Sequence, residues 1–245
     1  MRKIVIFYHT YLHGGDYMEL IIDQFRRINN HPNDLFKSCD RMFVGVVDSP
    51  SKKPPWGIEW INAIFKGTYS SKNPKEDERI EIRVHPRNRE LRDTLNWLRD
   101  YAKKNPEDYI LFFHTKGITH NNQAVTDWRH YMEYFVLDKW RDCVRKLDEG
   151  YDCCGVLWNK HTPIGEFPHF SGAFYWATAK YINTLNHDYI ESDWRYHMEF
   201  WIGSNLNAKV YEFHNSGYNT TERLESGRSH YHLPYPEENY IQVSE

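Results

Sequence analysis

The sequence predicts an α/β fold in which a mostly parallel central sheet is flanked by helices. Three observations carry this. Short apolar runs rich in β-branched and aromatic residues recur at residues 4–8, 42–47 and 109–113, and residues 80–84 alternate like a strand. Stretches with apolar residues at helical spacing alternate with them, the pattern of strands joined by crossover helices. Of 245 residues, 16% are Phe, Trp or Tyr, with nine Trp and eighteen Tyr, so the chain can bury ample surface and disorder is excluded.

The run at 4–8 follows Arg2-Lys3 and stops at His9. It is too short for a secretory h-region and reads as the first strand of a cytoplasmic protein. Residues 9–16 form a Gly-containing loop. Met18, Ile21, Ile22, Phe25 and Ile28 mark a helix over 17–28. The second strand, 42–47, ends at Asp48-Ser49-Pro50. Residues 51–78, rich in Lys, Pro, Ser and Gly, read as a long irregular excursion, and its Glu76-Asp77-Glu78 run as a solvated one. After the third strand, 80–84, Leu91, Leu95, Leu98 and Tyr101 predict an amphipathic helix over 89–104. The fourth strand, 109–113, runs directly into His114-Thr115-Lys116-Gly117. Tyr131, Phe135, Val136, Trp140, Val144 and Leu147 line one long helix over 128–147. Residues 152–158 read as a strand, 160–168 as a loop, 173–185 as mixed, 195–203 as a short helix and 209–213 as the last strand. The tail from Asn215 is polar, rich in Tyr and His, and aperiodic. No repeat or linker divides the chain, so one domain is expected: about 1–120 as a nucleotide-binding half, about 121–245 as the remainder.

Composition narrows the function classes. No run approaches the roughly 18 apolar residues of a spanning helix, so no transmembrane segment is expected. A net charge of −3 gives no global attraction to nucleic acid. Cys39, Cys143, Cys153 and Cys154 form no CxxC pair, so reduced thiols are expected rather than a zinc site or disulfide framework.

In open α/β sheets, ligands sit beyond the carboxyl ends of the strands. That rule nominates Thr10 and Tyr11 after the first strand, Asp48 and Ser49 after the second, His114, Lys116 and Gly117 after the fourth, and His214 after the last. The His-Thr-Lys-Gly turn is the sharpest feature. Lysine is a compact cation suited to phosphate, and glycine permits close backbone approach. Neither GxxxxGK[ST] nor GxGxxG occurs, so the phosphate-loop and dinucleotide fingerprints are absent.

Four segments together resemble the GT-A glycosyltransferases: His114-Thr115-Lys116-Gly117; Trp128-Arg129 with Met132-Glu133 and Phe135; His169-Phe170-Ser171-Gly172 with Phe174 and Trp176-Ala177; and Glu199-Phe200-Trp201-Ile202. More narrowly, their order is similar to small glycosyltransferases of bacterial surface-polysaccharide clusters and of large DNA viruses of the chlorovirus type that glycosylate their capsids. The resemblance spans about residues 1–215. It implies transfer of a sugar from a nucleotide-diphosphate sugar, UDP-linked donors (pentoses and deoxyhexoses included) being favoured, to a hydroxyl of a glycan acceptor, with inversion. On it, Glu199 is the general base, flanked by Met198, Phe200 and Trp201, and Asp193 is the second candidate. His169 and Ser171, beside Gly172, hydrogen-bond donor or acceptor hydroxyls. Tyr175, Trp176 and Trp201 stack on sugar faces, and Thr10, Tyr11, Asp48 and Ser49 hold the nucleoside. Tyr231, His232, Tyr235 and Tyr240 of the tail fold over the site as a lid.

The chain departs from the family in lacking an Asp-x-Asp after the fourth strand, which leaves a divalent metal (Mn or Mg) open. Either Lys116, with Arg129 or Arg195, supplies the positive charge opposite the leaving diphosphate, or His114 and His214 ligate an ion. The first is favoured. Two other classes fit the same residues: a non-catalytic carbohydrate-binding protein, and a glycoside hydrolase using Glu199 and Asp193 as its carboxylate pair.

Overall fold

The structure is a computed structural model that describes residues 2–12, 17–30, 32–48, 57–65, 78–85, 90–120, 122–160, 167–218 and 228–241. Its strands are β1 (Ile4–Leu12), β2 (Arg41–Asp48), β3 (Ile80–His85), β4 (Tyr109–His114), β5 (Cys153–Gly155), β6 (Trp158–Asn159), β7 (His169–Phe170), β8 (Tyr175–Thr178) and β9 (Val210–Glu212). Its α-helices are α1 (Tyr17–Asn29), α2 (Leu35–Ser38), α3 (Gly57–Phe65), α4 (Arg92–Lys104), α5 (Gln123–Glu133), α6 (Trp140–Asp148), α7 (Ala179–Ile182), α8 (Asp188–Glu191) and α9 (Tyr196–Phe200).

Seven strands form one sheet in the order β3-β2-β1-β4-β8-β5-β9, and β6 and β7 form a small antiparallel ladder. All pairs in the large sheet are parallel except those of β8, which runs against both β4 and β5. The α/β class with a mostly parallel sheet is therefore as the sequence predicts. Val5, Ile6, Phe7 and Tyr8 of β1 are each at most 1% exposed, because helices cover both faces. Ile6 and Tyr8 join the core that includes Ile21 of α1 and Trp128 of α5. Val5 and Phe7 join the one that includes Leu95 and Leu98 of α4 and Tyr181 of α7.

Several boundaries differ from expectation for local reasons. Residues 57–65 are helix α3, not irregular chain: Trp60, Ile61 and Phe65 recur at helical spacing and are buried. The single helix expected over 128–147 is two helices joined by a π-helical turn, Tyr134–Asp138. The strand expected over 152–158 ends at Gly155, and Leu157, at φ 55°, turns the chain into β6. β1 continues through His9 and Thr10 to Leu12, since its partner β2 runs equally far. Glu76, Asp77 and Ser49 lie outside the described residues. The four cysteines are buried and none forms a disulfide. No helix among the described residues is long and apolar enough to cross a membrane.

Acid sensitivity follows from two buried imidazoles. Burial pushes His9, with its neighbours His114 and His85, and likewise His230, down to about 3. A histidine whose folded value lies below its unfolded value of about 6.5 stabilises the fold above that pH and loses this contribution as pH falls. From pH 7 to pH 5 each of the two is expected to remove about 2 kcal/mol of unfolding free energy. The difference in urea unfolding between the parent and His230→Phe across that range measures it for His230, and an unchanged pH slope would contradict the burial of that ring.

Candidate functional site

The connection order places the crevice. From β1 the chain passes out to β2 and β3, then returns to β4 on the other side of β1. The carboxyl ends of β1 and β4 thus diverge at a topological switch point, where open sheets bind ligands. Two bonds sew these ends together: the Thr115 amide donates to the His9 carbonyl at 3.1 Å, and the Tyr11 amide to Thr115 Oγ1 at 3.0 Å. His9 and His114 are direct register partners.

His114 reaches across to the connection between β7 and β8. Its Nε2 lies 2.9 Å from the Gly172 carbonyl, which only accepts, so Nε2 carries the proton. Burial first, then the Lys116 cation, pushes His114 down to about 4, so its ring is neutral at pH 7. Gly172 has φ 90° and sits third in a turn closed by the Ala173 amide on the Phe170 carbonyl at 2.9 Å, a position that favours glycine. A Cβ there would overlap Met132 Sδ and lie 3.5 Å from the Trp128 ring, so α5 walls the turn. Beside it, His169 Nδ1 donates to the Phe167 carbonyl at 2.7 Å. Its Nε2 faces Ser171 Oγ at 3.2 Å, which in turn receives the Asn159 amide at 2.6 Å.

Lys116 Nζ lies 4.3 Å from the centre of the Trp128 ring and 3.4 Å from the Tyr231 hydroxyl. Glu199, half-buried on α9, makes no hydrogen bond or ion pair among the described residues. Its charge raises His114 and His169, whereas that of Lys116 lowers both. Lys116, His114, His169 and Glu199 therefore lie within electrostatic reach of one another beyond the carboxyl end of β4, with Ser171 and Gly172 beside the two imidazoles and Gly117, at φ 86°, following the lysine.

Other expectations are corrected. Tyr175, Trp176 and Trp201 are core residues, not sugar platforms. Trp176 is fully buried with Nε1 donating to the Val136 carbonyl at 2.8 Å, Tyr175 stacks on Phe112 at 5.3 Å, and Trp201 is fully buried. Thr10 is buried in the sheet with its hydroxyl on the Gly45 carbonyl at 3.2 Å, whereas Tyr11 is half-buried. His214 stacks on Phe135 at 5.6 Å and holds Tyr131 Oη at 2.8 Å, while His114 Nε2 is engaged by Gly172, so the two do not assemble a metal site. Asp193 and Arg195 are exposed, and Asp193 bonds to nothing in the crevice. Arg129 lies behind the loop, its side chain 11% exposed and 3.5 Å from Glu133. Of the expected lid, Tyr231 alone covers Lys116. Tyr235 and Tyr240 pack on Tyr131 at 5.3 and 5.1 Å, and His232 is exposed.

Among the described residues, the one group of three or more metal-ligating side chains is Asp23, His130 and Glu133. It does not suit an ion. Gln24 Nε2 donates to one Glu133 oxygen at 2.6 Å and Arg27 Nη1 to the other at 2.9 Å, so the carboxylate is already neutralised. Sequence reading missed the scaffold around Lys116: Trp128 beneath it, Met132 against Gly172, and His230 stacked on Trp128 at 5.4 Å and on Tyr131 at 5.8 Å. The Trp128 and Met132 spacing was visible but reads equally as core.

A family model described as a domain of unknown function, DUF8361, matches residues 63–191, more than half of the chain. The chain belongs to this family. The DUF8361 match runs from the end of α3 to the end of α8, taking in His114, Lys116, Trp128, His169 and Gly172 but not Glu199. No curated protein matches the sequence. Among solved structures, a 4-diphosphocytidyl-2C-methyl-D-erythritol synthase is 11% identical, with 86% of this chain and 89% of that chain covered and a TM-score of 0.37, a likeness too slight to carry an argument.

Gly172→Ala combines a left-handed φ with overlap on Met132. It is expected to cost about 3–5 kcal/mol in urea unfolding, against about 1–2 kcal/mol for Gly217→Ala, where φ is 70° but nothing lies within 4 Å. Equal costs at the two positions would remove the packing role of Gly172.

Proposed function

We propose that this protein is a GT-A-type glycosyltransferase that moves a sugar from a nucleotide-diphosphate sugar, UDP-linked by preference, to a hydroxyl of a glycan acceptor. The observation that supports it is the placement of a cation and an unpaired carboxylate, Lys116 and Glu199, around two neutral imidazoles at the switch point of the sheet. The order of the motifs that meet there is that of the small surface-polysaccharide and capsid-glycan enzymes they resemble.

In this reading Glu199 takes the proton of the acceptor hydroxyl, whose oxygen attacks the anomeric carbon as the bond to the diphosphate breaks. Negative charge moves onto the leaving diphosphate, and Lys116 Nζ meets it. The ammonium is positioned for this by the Trp128 face, which holds a cation without neutralising it. His114, neutral at pH 7, presents its Nδ1 edge to a sugar hydroxyl without adding charge, while His169, both of whose ring nitrogens are engaged, positions Ser171. The described residues offer no fitting metal-ligand set in the crevice, so no step is drawn through an ion. A hydrolase of the paired-carboxylate type needs a second acid facing Glu199, and Asp193 is exposed and makes no contact with Glu199 among the described residues.

Glu199→Gln is expected to lower transfer by about 10²–10⁴-fold with donor affinity nearly unchanged. Nucleoside-diphosphate release measured with a panel of UDP-sugars and glycan acceptors reads this, and near-parental turnover would remove Glu199 as the base. Lys116→Ala is expected to weaken nucleoside diphosphate binding by about 10–100-fold. Unchanged affinity by calorimetry would take Lys116 out of the phosphate site.

A further inference from the structure

A second polar row crosses the carboxyl end of the sheet, on the face covered by α4. His9 Nδ1 lies 2.8 Å from Thr94 Oγ1, and that hydroxyl lies 3.4 Å from His85 Nε2. His85 Nδ1 in turn faces the Asp93 carboxylate at 3.9 Å. His9, His85 and Thr94 are all buried. The space between them exists because β2 carries glycine at position 45, where a Cβ would overlap Thr94 Oγ1 and lie 2.9 Å from His85 Nε2. Glycine in a strand interior is destabilising, and buried polar groups cost more than apolar packing, so this row is an expense that stability alone does not explain.

The row orients the His9 ring. The Asp93 charge favours the proton on His85 Nδ1, which leaves His85 Nε2 as an acceptor. The single Thr94 proton then goes to His85, and Thr94 Oγ1 accepts from His9 Nδ1–H. His9 Nε2 is left as a bare lone pair, and His9 makes no other side-chain hydrogen bond among the described residues. On the neighbouring strand, its register partner His114 gives its Nε2 proton to Gly172, so its Nδ1 is bare as well, and it too makes no other side-chain hydrogen bond among the described residues. The two rings project on the same face of register-paired strands, whose backbones run about 4.8 Å apart, so two hydroxyls on adjacent carbons can face both.

We propose that His9 and His114 form an uncharged acceptor pair that takes the two hydroxyls of a vicinal diol on the bound ligand. This rests on the donor site proposed above, whose ligand carries such diols on its ribose and on the transferred sugar. Thr94 and His85 are positioning residues that set the His9 tautomer. An uncharged acceptor pair suits this place, because a carboxylate would repel the nearby diphosphate.

The test uses the full chain with ¹⁵N-labelled histidine and long-range proton–nitrogen correlation. The free protein is expected to show His9 protonated at Nδ1 and His114 at Nε2, and the opposite tautomer at either ring overturns the pair. Titration with UDP, 2′-deoxy-UDP and a panel of UDP-sugars then names the diol. If the ribose is held, UDP shifts both bare nitrogens, and 2′-deoxy-UDP binds about tenfold more weakly and shifts neither. If the transferred sugar is held, only the UDP-sugars shift them. Nucleotide binding that moves neither ring under any of these ligands overturns the pair while leaving the transferase reading intact. If no nucleotide binds, the transferase reading fails by itself, and methyl ribofuranoside decides the pair: shifted nitrogens support it and unshifted ones overturn it. Thr94→Val is expected to scramble the His9 tautomer and abolish the preference for the diol ligand, with Thr94→Ser restoring both. An unchanged tautomer and preference in Thr94→Val overturns the positioning role.

Discussion

The hydrogen bond from His114 to the Gly172 carbonyl is the joint on which the crevice depends. It ties the end of the central parallel strand to the turn that begins the one antiparallel strand of the seven-stranded sheet, 58 residues later in the chain. It also fixes the protonated nitrogen of His114, brings His169 and Ser171 into the same wall, and is backed by Met132 and Trp128 of α5. Gly172 is demanded there twice over, by its positive φ and by the lack of room for a Cβ. Lys116, two residues beyond His114, then comes to rest on the Trp128 face.

Behind this joint the fold holds a polar layer where an apolar core would be simpler. Fully buried Glu133 sits between Arg27, Arg129 and Gln24, and Gln24 also takes the Tyr8 hydroxyl at 2.6 Å and reaches the His114 carbonyl at 3.3 Å. Buried ion pairs of this kind add little net stability but penalise any arrangement that leaves one partner alone. Their effect is to hold α1 and α5 in one setting under the end of β4, and so to hold the loop that carries Lys116. The C-terminal tail completes the arrangement from outside: His230 stacks on Trp128 and Tyr131, and Tyr235 donates its amide to Asp127 at 3.0 Å.

Much of this was legible in the chain. Strands buried on both faces read as unbroken apolar runs, so residues 4–8 and 109–113 declared themselves, and the rule of strand ends led from them to His114 and Lys116. Helix α3 was hidden because its flanks are rich in Pro, Lys and Ser, although Trp60, Ile61 and Phe65 carry a helical pattern. Tyr175, Trp176 and Trp201 misled because an aromatic residue has the same letter whether it meets a sugar or the core. On β8, helices cover both faces, and both of its aromatic rings are buried.

The residues alone settled the class of fold, the strands at its centre and the segments that would gather at their ends, since these follow from local periodicity and chain connectivity. They also supplied Glu199, His169 and Lys116 as separate candidates. Tertiary structure decided that His114 meets Gly172, that Lys116 rests on Trp128, that His214 is taken up by Tyr131 and Phe135, and that Thr94 reaches His9 through the gap at Gly45. Those outcomes depend on distances between residues tens of positions apart. They are set by strand register, by the packing of α5 and α9 and by where a buried proton must go, and no local pattern in the chain encodes them.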